Sequence, residues 1–330
     1  MSPVRLSMLF IWSFDTRPGL QTLNERSSFG REMHVNWLTL TSVMRTVVLT
    51  DSSCDLTPAQ AAELGIYLLP LTVHFAGRSW RAPQALSNSE LFERVAAGAE
   101  LPSTSPPELQ EYHAVLETLL GQAEHVFCIH LSHHLSATYA VAVQAARAFP
   151  GRVTVHDSLN VSGALALQAE RAVRLLALGE TPQQVSEILT ALQPLARAHM
   201  CLTTLDYLQK NGRIGRAASL LGGLLNVNPI LGLDQGVVEP YGRPRGEHRA
   251  LQQLRQLLAQ YVQGAPEGRI AFFHNGHPKG VEALRHYVAR LGVQQTLTLD
   301  MGPVLSAHVG PGVFGFVHEP IKVWHKFREY

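Results

Sequence analysis

The sequence lacks an excess of charge of either sign, and it lacks long apolar runs. Of its 330 residues, 27 are Lys or Arg and 26 are Asp or Glu, which gives a formal net charge of +1. Proteins that bind nucleic acid or anionic membrane surfaces usually carry a clear excess of positive charge, so we expect no nucleic-acid partner. No apolar run approaches the roughly 20 residues that a helix needs to cross a bilayer, and we predict no transmembrane segment.

Cysteine is also scarce. The widely spaced Cys54, Cys128 and Cys201 match no CxxC metal site, and an odd number leaves one thiol unpaired in any disulfide scheme. The three imidazoles of HLSHH, residues 130–134, have no carboxylate or cysteine beside them, and a strand end would point alternate side chains apart. We therefore predict no metal and no other cofactor, and we interpret the chain as a cytoplasmic protein.

The first 44 residues do not share the pattern of the rest. The apolar stretch MLFIWSF is short, and the polar stretch after it has no small-residue cleavage pattern of a signal peptide. Regular alternation of strands and helices begins only at Arg45. We interpret residues 1–44 as a disordered extension or as sequence upstream of the true start.

From Arg45 onward, short apolar strands alternate with helices. TVVLT, IYLLPLTVHF, HVFCIHLS and RVTVHDS read as strands, and in LTPAQAAELG we expect a helix with Thr57 as its N-cap and Gly65 as its stop. This alternation predicts a parallel sheet covered on both faces, with ligands collecting where strands end. A nearly all-helical stretch and a second α/β half follow. We predict an N-terminal α/β domain over 45–165 and a C-terminal α/β domain over 166–330.

Hydroxyl side chains collect where predicted strands end or helices begin. They form three groups: Asp51, Ser52 and Ser53; Ser103, Thr104 and Ser105; and Ser132, Ser136 and Thr138. Hydroxyls beside free backbone N–H groups can bind an anion without any positive charge. Taken singly, each group is equally well explained as caps and turns.

Two further stretches leave alternatives open. Asp51 could act as the nucleophile or base of a hydrolase or phosphotransferase, although D-x-D, G-x-S-x-G and the P-loop pattern are absent from the sequence. The segment LDYLQKNGRIGRAASLLGGLLNVNPIL is either a turn followed by a buried helix or the wall of an apolar tunnel with Arg213 at its rim.

Six stretches together resemble a known family. VLTDSSCDL, LPSTSPP, HLSHHLSATY, LDYLQKNGRIG, VNPIL and GPVLSAHVGPGVFG occur in this order, and they are similar to motifs of the DegV family of fatty-acid-binding proteins. Some members of that family are the lipid-binding subunit of bacterial fatty acid kinase. The resemblance extends from about Arg45 to His318, and six motifs in register make it specific where a single one would be weak.

The resemblance implies a two-domain α/β protein with a parallel, Rossmann-like N-terminal sheet and a mixed sheet in the second domain. A long-chain, palmitate-like fatty acid would lie in a tunnel between the domains. Its carboxylate would be held by Thr104 and Ser136, with His308 close by. Arg213 and Arg245 match arginines that kinase-linked members present near the carboxylate, which makes them candidates for contact with a partner or a phosphoryl group.

In this interpretation the loop of Asp51, Ser52 and Ser53 supports the head-group site, with Asp51 ordering the loop and a serine near the carboxylate. The chain would be a non-catalytic carrier that presents its fatty acid to a kinase partner for acyl phosphate formation. The alternatives are a hydrolase or phosphotransferase that uses Asp51, and a lipid-sensing regulator.

The sequence departs from the family pattern in two places. The family usually reads S-S-G-L-S-G-T where this chain has His133, His134 and Ala137. Glycine adopts positive φ without steric cost, whereas histidine does not, so we expect an altered loop. In addition, YGRPRGEHRA has Pro and Gly where members often have a basic run, which weakens the case for a kinase partner more than the case for lipid binding.

Overall fold

Strands and helices alternate along most of the chain. The computed structural model describes residues 45–83, 86–222, 227–265, 268–293 and 295–320. The predicted extension, residues 1–44, lies outside the described residues, and so do residues 321–330 of the predicted second domain.

The strands are β1 (Thr46–Asp51), β2 (Ile66–Leu69), β3 (Thr72–Phe75), β4 (Arg78–Arg81), β5 (Ser103–Ser105), β6 (His125–His130), β7 (Val153–Asp157), β8 (Arg197–Cys201), β9 (Ile230–Asp234), β10 (Val237–Gly242), β11 (Arg269–Asn275), β12 (Gln295–Asp300) and β13 (Val313–Glu319). The α-helices are α1 (Pro58–Glu63), α2 (Asn88–Ala96), α3 (Leu109–Leu120), α4 (Thr138–Ala146), α5 (Ser162–Ala177), α6 (Pro182–Leu192), α7 (Asp206–Lys210), α8 (Glu247–Gly264), α9 (Pro278–Ala289) and α10 (Pro303–Val309).

The first sheet is parallel, as the alternation predicts. Its strand order is β2-β1-β6-β7, and every neighbouring pair runs parallel. Helices α3 and α4 pack on one face, where Tyr112 and Ala142 join Leu49 and Val126 in one core. Because helices cover both faces, β6 is buried along its whole length.

Local sequence signals set the first helix of this sheet. Thr57 is the N-cap of α1, and its side chain and that of Gln60 accept hydrogen bonds from each other's backbone N–H groups. Pro58 occupies the first helical position, where no intrahelical N–H bond is lost. Gly65 follows the helix at φ 71°. The predicted cap and stop of this helix are confirmed.

The stretch IYLLPLTVHF is not one strand, as the sequence pattern suggests, but two. Pro70 interrupts it, because proline has no N–H for a sheet ladder. β2 remains in the parallel sheet, whereas β3 joins a small antiparallel sheet of order β4-β3-β5. The group Ser103–Ser105 is therefore a strand, not a loop at a helix start, and the following helix begins only at Leu109.

The second sheet is mixed, as expected. Its order is β10-β9-β8-β13-β11-β12, with β11 and β12 parallel and the other neighbours antiparallel. Helices α8 and α9 pack on one face, and α5 packs on the other. At Gly163 of α5 an added Cβ would lie 3.2 Å from the Cβ of Ala271, so this helix approaches the sheet very closely.

Helix α5 also packs against the first sheet, and one hydrophobic core contains residues of both sheets, among them Phe127 and Phe273. The predicted boundary between residues 165 and 166 falls inside this helix. The division into two domains at that point stays a prediction.

A buried ionic cluster ties α5 to the second sheet. Glu319 of β13 pairs with Arg171 of α5 at 2.6 Å and with Arg269 of β11 at 2.7 Å. Arg269 also pairs with Glu170 at 3.0 Å. Burial would raise the pKa of Glu319, but the two guanidinium groups lower it below its ordinary value. The positive charges of Arg171 and Arg269 are therefore matched by the carboxylates of Glu319 and the partly buried Glu170.

Replacing Glu319 with Gln should destabilise the protein strongly. The substitution leaves two buried guanidinium groups facing one carboxylate, and loss of one partner of a buried pair typically costs about 3 to 5 kcal/mol. The free energy of unfolding in urea measures this. As a control, Glu90→Gln breaks the exposed Arg94–Glu90 pair and should change stability by less than about 1 kcal/mol. Equal losses in the two variants would contradict the assignment.

Candidate functional site

A largely apolar pocket lies among the loops that follow the strands. Its free volume is about 660 Å³ when space open to solvent is included, but only about 60 Å³ has room for the centre of a water-sized sphere, so the pocket is narrow. Its apolar lining consists of Leu71, Leu131, Leu135, Val161, Met200, Leu208, Leu233, Val238, Val304, Leu305 and Val309. Its polar lining consists of Thr104, Ser105, Ser136, Arg213 and His308. The three residues predicted to hold a carboxylate and one of the two candidate arginines thus meet in one pocket.

Thr104 and His308 are in direct contact. Thr104 Oγ1 and His308 Nε2 share a hydrogen bond of 2.8 Å, which joins β5 to the last turn of α10. Burial, together with a smaller effect of the positive charge of Arg213, lowers the pKa of His308 to about 4. The imidazole is therefore neutral at neutral pH. Its Nδ1 is buried and has no hydrogen-bond partner among the described residues.

Ser136 lies at the start of α4. Its Oγ accepts a hydrogen bond from the Thr138 backbone N–H at 3.2 Å and lies 2.9 Å from Thr138 Oγ1. Arg213 lies beside it, because the Arg213 Nε–H donates to the Leu135 carbonyl oxygen at 3.2 Å. Ser136, Arg213 and His308 thus line the same pocket, and the charge of Arg213 acts on His308.

The loop that carries Ser136 is fixed by Ser132. The buried Ser132 Oγ donates to the Gly236 carbonyl oxygen at 2.9 Å and accepts from the His134 N–H at 3.2 Å. Gly236 lies in the turn between β9 and β10, so this bond joins the two halves of the chain. Neither His133 nor His134 has a positive φ, so these replacements of the family's usual residues cause no backbone strain.

Asp51 is a buried structural group outside the pocket lining. It accepts hydrogen bonds from the Ser53 N–H at 3.0 Å and the Leu131 N–H at 3.1 Å, and its Oδ2 lies 2.9 Å from His130 Nδ1. His130 in turn contacts Tyr112 OH. Burial would raise the pKa of Asp51, but the hydrogen bond and charge of His130 lower it below its ordinary value. This geometry gives Asp51 no access to a substrate in the pocket.

The serines of this loop do not line the pocket as we expected. The Ser52 Oγ accepts a hydrogen bond from the Leu71 N–H at 3.0 Å, and the Ser53 hydroxyl donates to Asp51. Leu71 and Leu131, whose N–H groups the loop holds, are themselves pocket residues. The loop therefore supports the pocket wall through hydrogen bonds to the backbone, and both serine hydroxyls take part in hydrogen bonds of the loop.

Arg245 lies away from Arg213. It is exposed, forms an isolated bridge with Val227, and is not among the residues that line the pocket. Arg245 therefore does not share the pocket with Arg213, and its contact with a partner or a phosphoryl group stays a prediction.

Part of the apolar lining could have been found from the sequence. Val304, Leu305 and Val309 share one face of α10 with His308, at the spacing of a helical stripe. Leu208 and Arg213 belong to the stretch LDYLQKNGRIGRAASLLGGLLNVNPIL, for which one alternative was a tunnel wall. Residues 219–222 of that stretch do not line the pocket, and residues 223–226 lie outside the described part.

In the described part of the chain, no group of three or more His, Cys, Asp or Glu side chains is arranged to hold a metal ion. Within the same residues, no helix combines the length and apolar character needed to span a membrane. The three cysteines are buried free thiols.

Replacing Gly236 with Ala should disturb the loop that carries Ser136. A Cβ at this position would lie 2.3 Å from Ser132 Oγ, and the glycine has φ +80°. We expect a loss of roughly 2 to 3 kcal/mol in the free energy of unfolding, from strain and the lost hydrogen bond. Gly77→Ala is the control, because its φ is +73° with nothing within 4 Å, and it should cost about 1 kcal/mol. Similar losses in both variants would contradict the tie to Ser132.

The sequence and the fold match those of known proteins. The pattern of the DegV family, described as a family of uncharacterised proteins, matches residues 45–320. A DegV domain-containing protein of Deinococcus radiodurans is 38% identical over 279 residues, which cover 84% of this chain and 99% of that protein.

Two solved structures are similar throughout the described part. A DegV family protein of Thermus thermophilus, described as binding fatty acid, is 35% identical with a TM-score of 0.81, covering 84% of this chain and all of that one. DegV of Bacillus subtilis, described as a fatty acid binding protein, is 27% identical with a TM-score of 0.75 and the same coverage. The agreement of family pattern, sequence and fold over most of the chain establishes that it belongs to the DegV family.

Proposed function

We propose that this protein binds a long-chain, palmitate-like fatty acid in the apolar pocket, with the carboxylate held by Thr104 and Ser136 and approached by His308. The observation that carries the proposal is the meeting of these polar groups in a pocket that is otherwise apolar. Fatty acid binding by the Thermus and Bacillus relatives supports it.

The apolar lining supplies the affinity. A hexadecanoyl chain removes about 14 methylenes from water, worth at most roughly 11 kcal/mol at about 0.8 kcal/mol each. Association takes back about 4 kcal/mol or more in lost freedom of motion. The remainder, at most about 7 kcal/mol, corresponds to a Kd of roughly 10 μM, so the polar groups both orient the ligand and add to its affinity.

The polar groups satisfy the carboxylate without a buried ion pair as the main contact. Hydroxyl donors to a carboxylate form charge-assisted bonds worth about 1.5 to 3 kcal/mol each. While His308 is neutral and keeps its hydrogen bond to Thr104, only one of these two side chains can donate to the carboxylate. A carboxylate beside His308 would favour the protonated form, in which both can donate. A head group held by hydroxyls stays available for reaction, which suits a carrier that must give up its cargo.

We extend the proposal to a partner. The carrier would present the carboxylate to an ATP-dependent fatty acid kinase subunit, which would convert it to acyl phosphate. Arg213 in the pocket would face the phosphoryl group, and the exposed Arg245 would contact the partner. This extension is carried by the resemblance of the G-R-I stretch to kinase-linked members and by the exposure of Arg245.

The bound lipid tests the first proposal. The protein should be expressed in bacteria, extracted with organic solvent, and its lipid identified by mass spectrometry. We expect a fatty acid in a molar ratio near one. A protein that carries no lipid and does not bind added hexadecanoic acid would overturn the proposal.

The head-group site is tested by Thr104→Val combined with Ser136→Ala. The loss of two charge-assisted bonds should weaken the binding of hexadecanoic acid by roughly 100-fold or more, measured by equilibrium dialysis. Thr118→Val with Ser79→Ala is the matched control, because these hydroxyls lie on exposed surfaces outside the pocket. Unchanged affinity in the first variant would overturn the assignment of Thr104 and Ser136.

The partner is tested with a fatty acid kinase subunit, ATP and hexadecanoic acid. We expect acyl phosphate only when both proteins are present. Arg245→Ala should leave the Kd for the fatty acid unchanged and lower the rate of acyl phosphate formation several-fold at limiting carrier. A tight complex without acyl phosphate would favour the lipid-sensing regulator, and turnover by the isolated protein would favour an enzyme.

A further inference from the structure

Asp55 is a buried carboxyl group that connects two walls of the pocket. Its Oδ2 accepts a hydrogen bond from the Ser162 hydroxyl at 2.6 Å, and its Oδ1 accepts from the Gly302 N–H at 2.8 Å. Ser162 is the first residue of α5 and follows Val161, which lines the pocket. Gly302 precedes α10, which carries His308.

No cation among the described residues contacts Asp55. Asp55 is only 6% exposed, and both of its recorded partners are neutral donors. The charges that act on it most, those of Asp300 and Asp51, are both acidic. Burial, with smaller contributions from the two acidic neighbours, raises the pKa of Asp55 to about 7 against the lowering effect of the two hydrogen bonds.

Both contacts can persist when Asp55 is protonated. The Gly302 N–H still donates to Oδ1, and the proton on Oδ2 can donate to Ser162 Oγ, which then accepts. The ionised form keeps the same bonds but places a charge where water is excluded, and that charge gains free energy if the walls separate and water enters.

The other ties to this part of the chain do not respond to pH in the same range. Asn88 donates to the Met301 carbonyl oxygen at 2.6 Å, Asn275 donates to Ser306 Oγ at 3.1 Å, and Asn211 donates to the Ala307 carbonyl oxygen at 3.0 Å. Amide side chains do not titrate, and burial lowers the pKa of His308, which ties α10 to Thr104, to about 4. Of these ties between described residues, the one through Asp55 is thus the one whose charge changes near neutral pH.

We infer that Asp55 is a positioning residue of this pocket, whose protonated side chain holds the α5 and α10 walls together and whose ionisation loosens them. The inference rests on the proposed function, because it takes the ligand of the pocket to be a fatty acid. Because the pocket is narrow, the walls must separate before a chain can enter or leave. Ionisation of Asp55 would therefore speed exchange of the ligand.

The direction of the pH dependence follows from linkage. In the closed pocket the pKa of Asp55 is about 7, whereas in an opened, hydrated state it would approach the ordinary value of about 4. The closed state then binds more protons between these two values, so closure weakens as pH rises through this window and levels off above about 7.

The closing experiment measures release of radiolabelled hexadecanoic acid from the loaded protein to excess phospholipid vesicles, between about pH 5.5 and about pH 8. We expect the wild-type release rate to rise several-fold, up to about tenfold per pH unit, and to level off near pH 7. Asp55→Asn, which stays neutral, should release slowly at every pH. Glu117→Gln, on the exposed face of α3, should behave like wild type.

Two further variants should move the profile in opposite directions. Asp300→Asn removes a charge that raises the pKa of Asp55, so release above pH 7 should slow. Ser162→Ala removes a hydrogen bond that lowers this pKa, so release should become faster. A merely structural role would change the rate at all pH values without this opposite response.

The variant His308→Gln distinguishes the effect of His308 titration from that of Asp55 titration. If the pH dependence persists in Asp55→Asn but disappears in His308→Gln, the inference is overturned.

A readout without ligand is also available, since the hydrogen-exchange protection of the α10 amides should decrease from about pH 5 to about pH 7 in wild type only. If hexadecanoic acid fails to bind but this protection changes as expected, the proposed function fails while the role of Asp55 in holding α10 is supported. Protection that is identical in wild type and Asp55→Asn would overturn that role.

Discussion

The burial of α5 between two sheets is the constraint on which the rest of the structure depends. Nearly every residue of its first half is buried, so this stretch has no polar outer face and must be built from small and apolar side chains. Gly163 permits a backbone approach that a Cβ would crowd against Ala271. Arg171, a charged side chain buried in this helix, needs a carboxylate from the sheet, and Glu319 supplies it. Helix, sheets and ionic cluster therefore require each other.

The start of α5 also determines where the pocket lies. Val161 precedes the helix and lines the cavity, and the neighbouring Asn160 carbonyl oxygen accepts a hydrogen bond from the Ser132 N–H at 2.9 Å. Ser132 in turn holds the loop of Ser136 and the turn at Gly236. The polar end of the pocket is thus assembled by hydrogen bonds between elements far apart in the sequence. These hydrogen bonds join neutral groups.

Much of the fold and part of the site follow from the sequence. The parallel sheet was predictable because buried strands such as HVFCIH leave an uninterrupted apolar run, and the α1 cap because Thr57 and Gln60 stand at the right spacing. Thr104, Ser136, Arg213 and His308 line one pocket as their motifs suggested. The split at Pro70 was not predicted, because the choice between two sheets depends on partners far along the chain. The position of Arg245 outside the pocket lining was not predictable for a similar reason, since Val227, to which it is bridged, is distant in sequence.

Asp51 and Asp55 show why a motif cannot assign chemistry by itself. Three residues separate them, both are buried, and burial alone would raise the pKa of both. His130 reverses this for Asp51, because its imidazole lies 2.9 Å from the carboxylate. Asp55 has hydroxyl and amide donors in place of an imidazole, so the raising effect prevails. The sequence places two like carboxyl groups in one loop, and the partners brought by the fold make one a fixed structural anion and the other a group that changes its charge near neutral pH.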